Sequence, residues 1–244
     1  MLKGIAAAAS GMLPQMKRQE VIANNLANVA TAGFKRDRLF IEQLDAAQRA
    51  AAPKGEAWQL GNSVGVVIDF KQGSLDGTGN PLDVALSGDG FLVLQTPQGE
   101  RYTRNGHLAV DSNGLLTGPD GQPVMGQGGE INLPAGSVGI GSDGTISVDG
   151  RRVDKLRIAR FADPRVLVRA ASSTFEIGIP TAVPEPDDTT VVHQGFLERS
   201  NVNSIEEMVN MITTYRFYEA DEKAVRAQDE LQGRVVNELG RAPA

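Results

Sequence analysis

The sequence predicts an α+β fold: long N- and C-terminal helices pairing as a coiled coil, with a β-rich domain inserted between them. Three observations predict it. Apolar residues at both ends recur at alternating steps of three and four. The middle is punctuated by Asp-Gly and Asn-Gly pairs between short apolar runs. The 244 residues, 41% of them hydrophobic, suffice for a buried core in one or two domains. The expected division is an N-terminal axial helix over 1–33, a linker or extended segment over 34–75, a β-rich outer domain over 76–198 and a C-terminal axial helix over 199–244.

The first helix is read from Leu2, Ile5, Ala9, Met12, Met16, Gln19, Ala23 and Leu26, a heptad seam with small or flexible occupants. An ordinary amphipathic helix on a globular core would show the same spacing. Gly11 and Pro14 mark a kink or weak point within it. Its Ala-rich start superficially resembles a signal peptide, but amphipathic sequence runs straight on, so the expectation is a helix that is not cleaved. After it, Ala46–Ala57 is rich in Ala, Gln and Pro and reads as a linker.

Seven turn pairs divide the middle: Asp76-Gly77, Asp89-Gly90, Asn105-Gly106, Asn113-Gly114, Asp120-Gly121, Asp143-Gly144 and Asp149-Gly150. Phe91–Gln95, His107–Val110 and Arg157–Phe161 read as strands. "VDSNGLLTGPDGQPV" (Val110–Val124) parallels "IGSDGTISVDGRRV" (Ile140–Val153) with one residue deleted, which two similar hairpins explain. "GIPTAVPEPDDTT" reads as an exposed loop in which Asp187 and Asp188 are solvated.

The last helix opens on Ser204-x-x-Glu207, a capping-box pattern. Ile205, Met208, Val209, Ile212 and Tyr215 form a first stripe; Leu231, Val235 and Leu239 form a second. From Ser204 to Gly240 the helix would run roughly 55 Å at 1.5 Å per residue, longer than one small domain covers.

Composition narrows the chemistry. With 24 Lys and Arg against 30 Asp and Glu, the net charge is -6, so nothing draws the chain in bulk to nucleic acid. Without cysteine there is no disulfide, thiolate metal site or thiol nucleophile. No apolar run is long enough to cross a bilayer, so no direct membrane insertion is expected. His107 and His193 are far apart and lack metal-ligand spacing. Gly88-Asp89-Gly90 and Gly126-Gln127-Gly128-Gly129 lack the Lys-Ser/Thr of a phosphate loop. The expectation is therefore no enzyme, no catalytic residue, no cofactor, no metal and no small-molecule substrate. A cell-wall glycan-binding β protein is the alternative; Trp58, the only tryptophan, lies in the linker and gives it little support.

"ANNLANVATAGFK" (Ala23–Lys35) places Asn24, Asn25 and Asn28 within roughly a 100° arc of a helix, opposite Ile22, Leu26 and Val29. Asparagine is a poor choice for a solvated helix. The amides either finish a fraying end, with Gly33 as the stop, or meet other backbones in a helical packing.

That stretch, with "SGM" at Ser10–Met12, resembles the N-terminal signature of the flagellar rod and hook axial proteins. "NPLDVALSGDGFLVLQTPQGERYTRNG" (Asn80–Gly106) is similar to the family's central block. "GFLERSNVNSIEEMVNMITTYRFYEA" (Gly195–Ala220) is similar to its C-terminal block. The resemblance implies a structural subunit of the bacterial flagellar basal-body rod, whose terminal helices pair in an inner tube while the β domain faces outward. Its implied partners are copies of itself, neighbouring rod subunits and the flagellar type III export apparatus. The chain length looks more like the single-β-domain rod subunits than the larger hook protein, and "GQGGEINLPAG" and the short linker look more like the proximal than the distal rod subunits. The candidate assembly interface comprises Ile5, Met12, Met16, Ile22, Asn24, Asn25, Leu26, Asn28 and Val29 in the first helix. In the last helix it comprises Ile205, Met208, Ile212, Tyr215, Leu231, Val235 and Leu239.

Overall fold

A computed structural model describes residues 2–43, 62–171 and 173–239; among these, the side chains at 2–13, 41–43, 62–64, 228–229 and 231–239 lie outside the description. The expected linker around Ala46–Ala57 and Trp58 lies outside the described residues. The chain divides into two compact units: residues 1–27, 37–67 and 203–244 form one, and residues 28–36 and 68–202 the other.

The first unit holds helix α1 (Leu2–Ala27), helix α2 (Ser204–Leu239) and a ribbon of strands β1 (Arg36–Gln43) and β2 (Asn62–Asp69). Pro14 is accommodated inside α1. The expected fold class is corrected here. Among the described residues two α-helices stand against nineteen strands, so the molecule is strand-rich and is not built on a coiled-coil pair of terminal helices. The two helices are neighbours, but the first apolar stripe of α2, Ile205 to Tyr215, is turned to solvent while Glu207 and Thr214 are buried. Heptad spacing gathers apolar residues on one face; it does not say which way that face turns.

The second unit is all β. Its strands are β3 (Leu75–Gly77), β4 (Val84–Ser87), β5 (Phe91–Thr96), β6 (Gly99–Thr103), β7 (Ala109–Val110), β8 (Leu116–Thr117), β9 (Met125–Gly126) and β10 (Gly129–Glu130). They continue with β11 (Val138–Ile140), β12 (Thr145–Val148), β13 (Arg151–Lys155), β14 (Ile158–Arg160), β15 (Leu167–Ala171) and β16 (Thr174–Ile177). The last three are β17 (Glu185–Pro186), β18 (Val191–Gln194) and β19 (Phe196–Glu198). The main sheet runs β15-β16-β6-β5-β14-β17. Strand β5 is buried on both faces, which is why its sequence is a continuous apolar run. Leu92 and Leu94 enter a core with Val84, Leu86, Leu116 and Ile146. Phe91 and Val93 enter a second with Tyr102, Phe161 and Phe175. There Tyr102 and Phe161 meet edge to face, centroids 4.8 Å apart.

The repeat in the sequence is a repeat in space. Gly114 (φ 85°) and Gly144 (φ 82°) occupy matching turns, between β7 and β8 and between β11 and β12. Asp111 and Gly141 each donate their N–H four residues ahead, to Leu115 and Thr145. Leu116 and Ile146 then enter the same core. Asp149-Gly150 is the hairpin turn of β12 and β13, with both residues at positive φ. Other turn signals mislead. Asp76-Gly77 lies inside β3, paired with β19. Asn105-Gly106 is an extended crossing against the backbone of Val84.

Asp187 is also corrected. It is buried, and its carboxylate accepts from the N–H groups and hydroxyls of Thr189 and Thr190. Asp188 beside it is exposed and pairs with Lys155 at 2.8 Å.

Candidate assembly site

Helix α2 starts one residue differently from its sequence signature. The side chain of Asn203, not Ser204, caps it: Oδ1 accepts from the N–H groups of Ile205 (3.1 Å) and Glu206 (3.3 Å). Glu206 and Glu207 in the first turn suit the positive end of the helix dipole. Further along, Glu219–Lys223 and Glu222–Arg226 pair one turn apart on the exposed surface.

Between these ends the helix presents a stripe that a globular helix would bury. Ile205 (73% exposed), Met208, Val209, Ile212 and Tyr215, each at least half exposed, fall within an arc of about 120° at 3.6 residues per turn. Glu207 and Thr214, both buried, lie on the opposite side. The side chains fully buried here are thus polar, with Met211 and Tyr218 half-buried on the same side, while the apolar stripe Ile205 to Tyr215 faces outward. Contiguous exposed apolar side chains of this kind are uncommon on the surface of a monomeric protein. Leu231, Val235 and Leu239 lie further along α2, and their side chains are outside the described residues, as are those of Ile5 and Met12 in α1.

In α1, Met16 is exposed, Ile22 is buried and Leu26 is half-buried; Val29, in the turn after the helix, is half-buried too. The three amides do not act as one face. Asn24 is exposed. Asn28 sits in the turn after the helix and accepts from the Thr31 hydroxyl. Asn25 is fully buried, and its amide meets the backbone of Asp37 twice: Nδ2 donates to the carbonyl (2.9 Å), and Oδ1 accepts from the N–H (2.8 Å). Asparagine suits this position because one planar group both donates and accepts, as a neighbouring strand would.

The residues after the helix anchor the second unit. Gly33 is not the helix stop, since α1 ends at Ala27. It adopts φ +66° so that its backbone can lie against Arg104 and Asn105, where a Cβ would stand 2.3 Å from the Arg104 carbonyl carbon. Phe34 is wholly buried under the guanidinium of Arg169, 4.3 Å from its ring centroid. Lys35 is buried as well. Its ammonium donates to Glu198 Oε1 (2.5 Å) and to the Lys71 carbonyl (2.9 Å). The second Glu198 oxygen lies 3.6 Å from the buried Arg104 guanidinium. Burial pushes the pKa of Lys35 and of Arg104 down, and in each case the Glu198 carboxylate opposes it.

Sequence reasoning passed over Lys35, Arg104 and Glu198. A signal was present: "TAGFK", "YTRNG" and "GFLERS", one from each block carrying the family resemblance, contribute one member each. Long charged side chains are ordinarily exposed, so nothing in the composition marked these as interior.

Among the described residues no cluster of His, Asp and Glu could hold a metal ion, and no helix is long and apolar enough to cross a membrane. His107 Nδ1 lies 2.9 Å from Asp83, with the ring more than half exposed. His193 packs edge-on against Phe196.

Comparison with known proteins matches three family descriptions in chain order. Residues 5–35 match "Flagella basal body rod protein", residues 85–148 "Flagellar hook protein FlgE/F/G D1 domain", and residues 193–239 "Flagellar basal body rod FlgEFG protein C-terminal". The chain is 36% identical to the flagellar basal-body rod protein FlgF of Salmonella typhimurium, covering 90% of this chain and 91% of that protein. It is 32% identical to FlgF of Caulobacter vibrioides, over 91% of both chains. It is 34% identical to the rod protein FlgG of Buchnera aphidicola subsp. Schizaphis graminum, over 91% of this chain and 94% of that one.

Proposed function

The chain belongs to the flagellar basal-body rod protein family, and on that premise we propose that it builds the rod by self-assembly through its terminal helices. It is a structural protein of the basal body and not an enzyme. The observation that carries the assembly reading is the outward apolar stripe of α2, Ile205 to Tyr215. A helix that holds five apolar side chains at least half exposed on one face gains by covering that stripe with another subunit. The contact is heterologous: the stripe meets a different surface of the next copy or of a neighbouring rod subunit, so growth is helical and does not close. Met16 and Leu26 of α1, and Val29 in the turn after it, supply further contact. The chain reaches the rod through the flagellar type III export apparatus.

Within the family, the short linker and "GQGGEINLPAG" favour the proximal rod protein FlgF, with the distal rod protein FlgG as the other reading. Relatives of both names match at similar identity. The general test is electron microscopy of the purified protein, alone and mixed with other rod subunits. Rod-like or tubular polymers are expected; a protein that stays monomeric in every mixture overturns the reading. Expression in cells lacking FlgF or lacking FlgG separates the two identities, because only the matching defect in motility is restored.

A further inference from the structure

Three stretches of backbone cross at one place in the second unit, and a buried ion cluster sits at the crossing. The chain enters through Gly33–Lys35, passes again through 69–73, and leaves through Glu198–Asn201. The carbonyl of Glu198 accepts from Gly33 N–H (2.7 Å), and Asn201 N–H donates to the Phe34 carbonyl (3.4 Å). The Asn201 amide donates to the carbonyls of Asp69 and Lys71 and accepts from Arg36 N–H. Gly73 allows the closest approach, since a Cβ there would lie 2.0 Å from the Arg199 carbonyl oxygen. At the centre, the Glu198 carboxylate accepts from Lys35 Nζ and from Gly73 N–H (2.8 Å). Its other oxygen faces Arg104, which also donates to the carbonyls of Leu86 and Gly88.

The charges here are unequal. Two buried cations, Lys35 and Arg104, share one fully buried carboxylate. Asp69 faces Lys35, and Asp89 and Asp187 face Arg104, but among the described contacts neither cation pairs directly with any of the three. Glu198 is the last residue of the last strand, β19, so Lys35 has its partner only when that strand is in place. Until then, closing the crossing means burying an ammonium without its counter-ion, which is strongly unfavourable.

We propose that Glu198 is an electrostatic latch: the strand unit closes around Lys35 and Arg104 only once β19 has delivered this carboxylate. A chain in which β19 is not yet in place therefore stays open. Passage through an export channel would give that delay a use, but the latch itself rests only on the geometry of the second unit.

The test is a double-substitution cycle in the full-length protein, read by amide hydrogen exchange of β5 and β6. Glu198→Met alone should speed exchange on the order of 100-fold or more, because Lys35 is left buried and unpaired. Lys35→Met alone should cost less, since Glu198 keeps Arg104. Combining the two removes the unpaired ammonium but leaves Arg104 and the Gly73 N–H without the carboxylate, so protection should recover only part of the way, and Lys35→Met harms the parent but helps the Glu198→Met protein. If Glu198→Met does not fold, folding of the double variant makes the same point. Losses that simply add, in this cycle or in the same cycle run with Glu198→Gln where the double Met variant does not fold, or a Glu198→Met protein as protected as the parent, would each overturn the latch. None of these outcomes depends on rod assembly, so the latch and the assembly reading can fail separately.

Discussion

The ammonium of Lys35 and the carboxylate of Glu198 meet at 2.5 Å, both fully buried, although 163 positions separate them in the chain. One lies just before the ribbon of β1 and β2, the other at the end of β19. Their meeting holds the entry and exit of the strand unit together. The segments around this crossing, and the helices beyond it, each offer a measurable consequence.

The Asn25 amide is the first. Asn25→Leu keeps the branched side-chain skeleton, at a somewhat larger volume, but removes the Asn25 amide from the Asp37 N–H and carbonyl. Two buried backbone groups losing a hydrogen bond, at about 1–3 kcal/mol each, should cost about 2–6 kcal/mol. Denaturant unfolding gives the total, and exchange at the Asp37 amide should rise with it. An unchanged Asp37 exchange rate would show that the bond does not hold this turn.

The Gly33 backbone is the second. Gly33→Ala places a Cβ against the Arg104–Asn105 backbone and also forces an L side chain to φ +66°. The two effects together should cost roughly 2–4 kcal/mol. Gly150→Ala, also at positive φ but with open space around it, is the control and should cost only the backbone part. Equal losses at the two sites would remove the crowding argument.

The outward stripe is the third. Ile212→Asp places a charge on a surface that is solvated in the monomer, so monomer stability should stay within about 0.5 kcal/mol. Assembly should be abolished, as judged by sedimentation and electron microscopy. Leu26→Asp should impair assembly too, with a larger effect on the monomer because Leu26 is half-buried. Normal polymers formed by the Ile212→Asp protein would contradict the stripe as an interface.

The acid limb of stability is the fourth. Burial pushes the Asp187 carboxyl up, but the hydrogen bonds from Thr189 and Thr190 outweigh it and hold the carboxyl below its ordinary value of 3.8. A depressed carboxyl contributes stability that is present above its unfolded pKa and is lost as the pH falls through its folded pKa. Urea midpoints should therefore drop as the pH falls below 3.8. Asp187→Asn should be less stable at neutral pH and should flatten that acid slope. A slope identical to the parent's would assign it to other carboxylates.

Much of the architecture is legible in the order of residues along the chain. The extent of α2, the hairpins at Asn113-Gly114, Asp143-Gly144 and Asp149-Gly150, and the doubled hairpin motif follow from local chemistry. A positive φ at a turn glycine and a polar cap at a helix start are decided within a few residues. The errors share a cause. Asp76-Gly77 has the composition of a turn, yet pairing with β19 draws it into a strand. Asp187 has the setting of a solvated acid, yet two threonine neighbours fold back to satisfy it in the interior. The coiled-coil expectation took periodicity as a guide to what is buried, and α2 turns its apolar stripe outward.

What the sequence determined by itself is the family, the strand-rich middle between two helical ends, and the identity of the apolar stripe on α2. These rest on order and spacing along the chain. The inward turn of Glu207 and Thr214, the Asn25 clip on Asp37, and the burial of Lys35, Arg104 and Glu198 were decided only in three dimensions. The reason is physical: a charge or an amide can leave water only where partners from distant parts of the chain replace its hydration, and no local pattern records which partners will arrive.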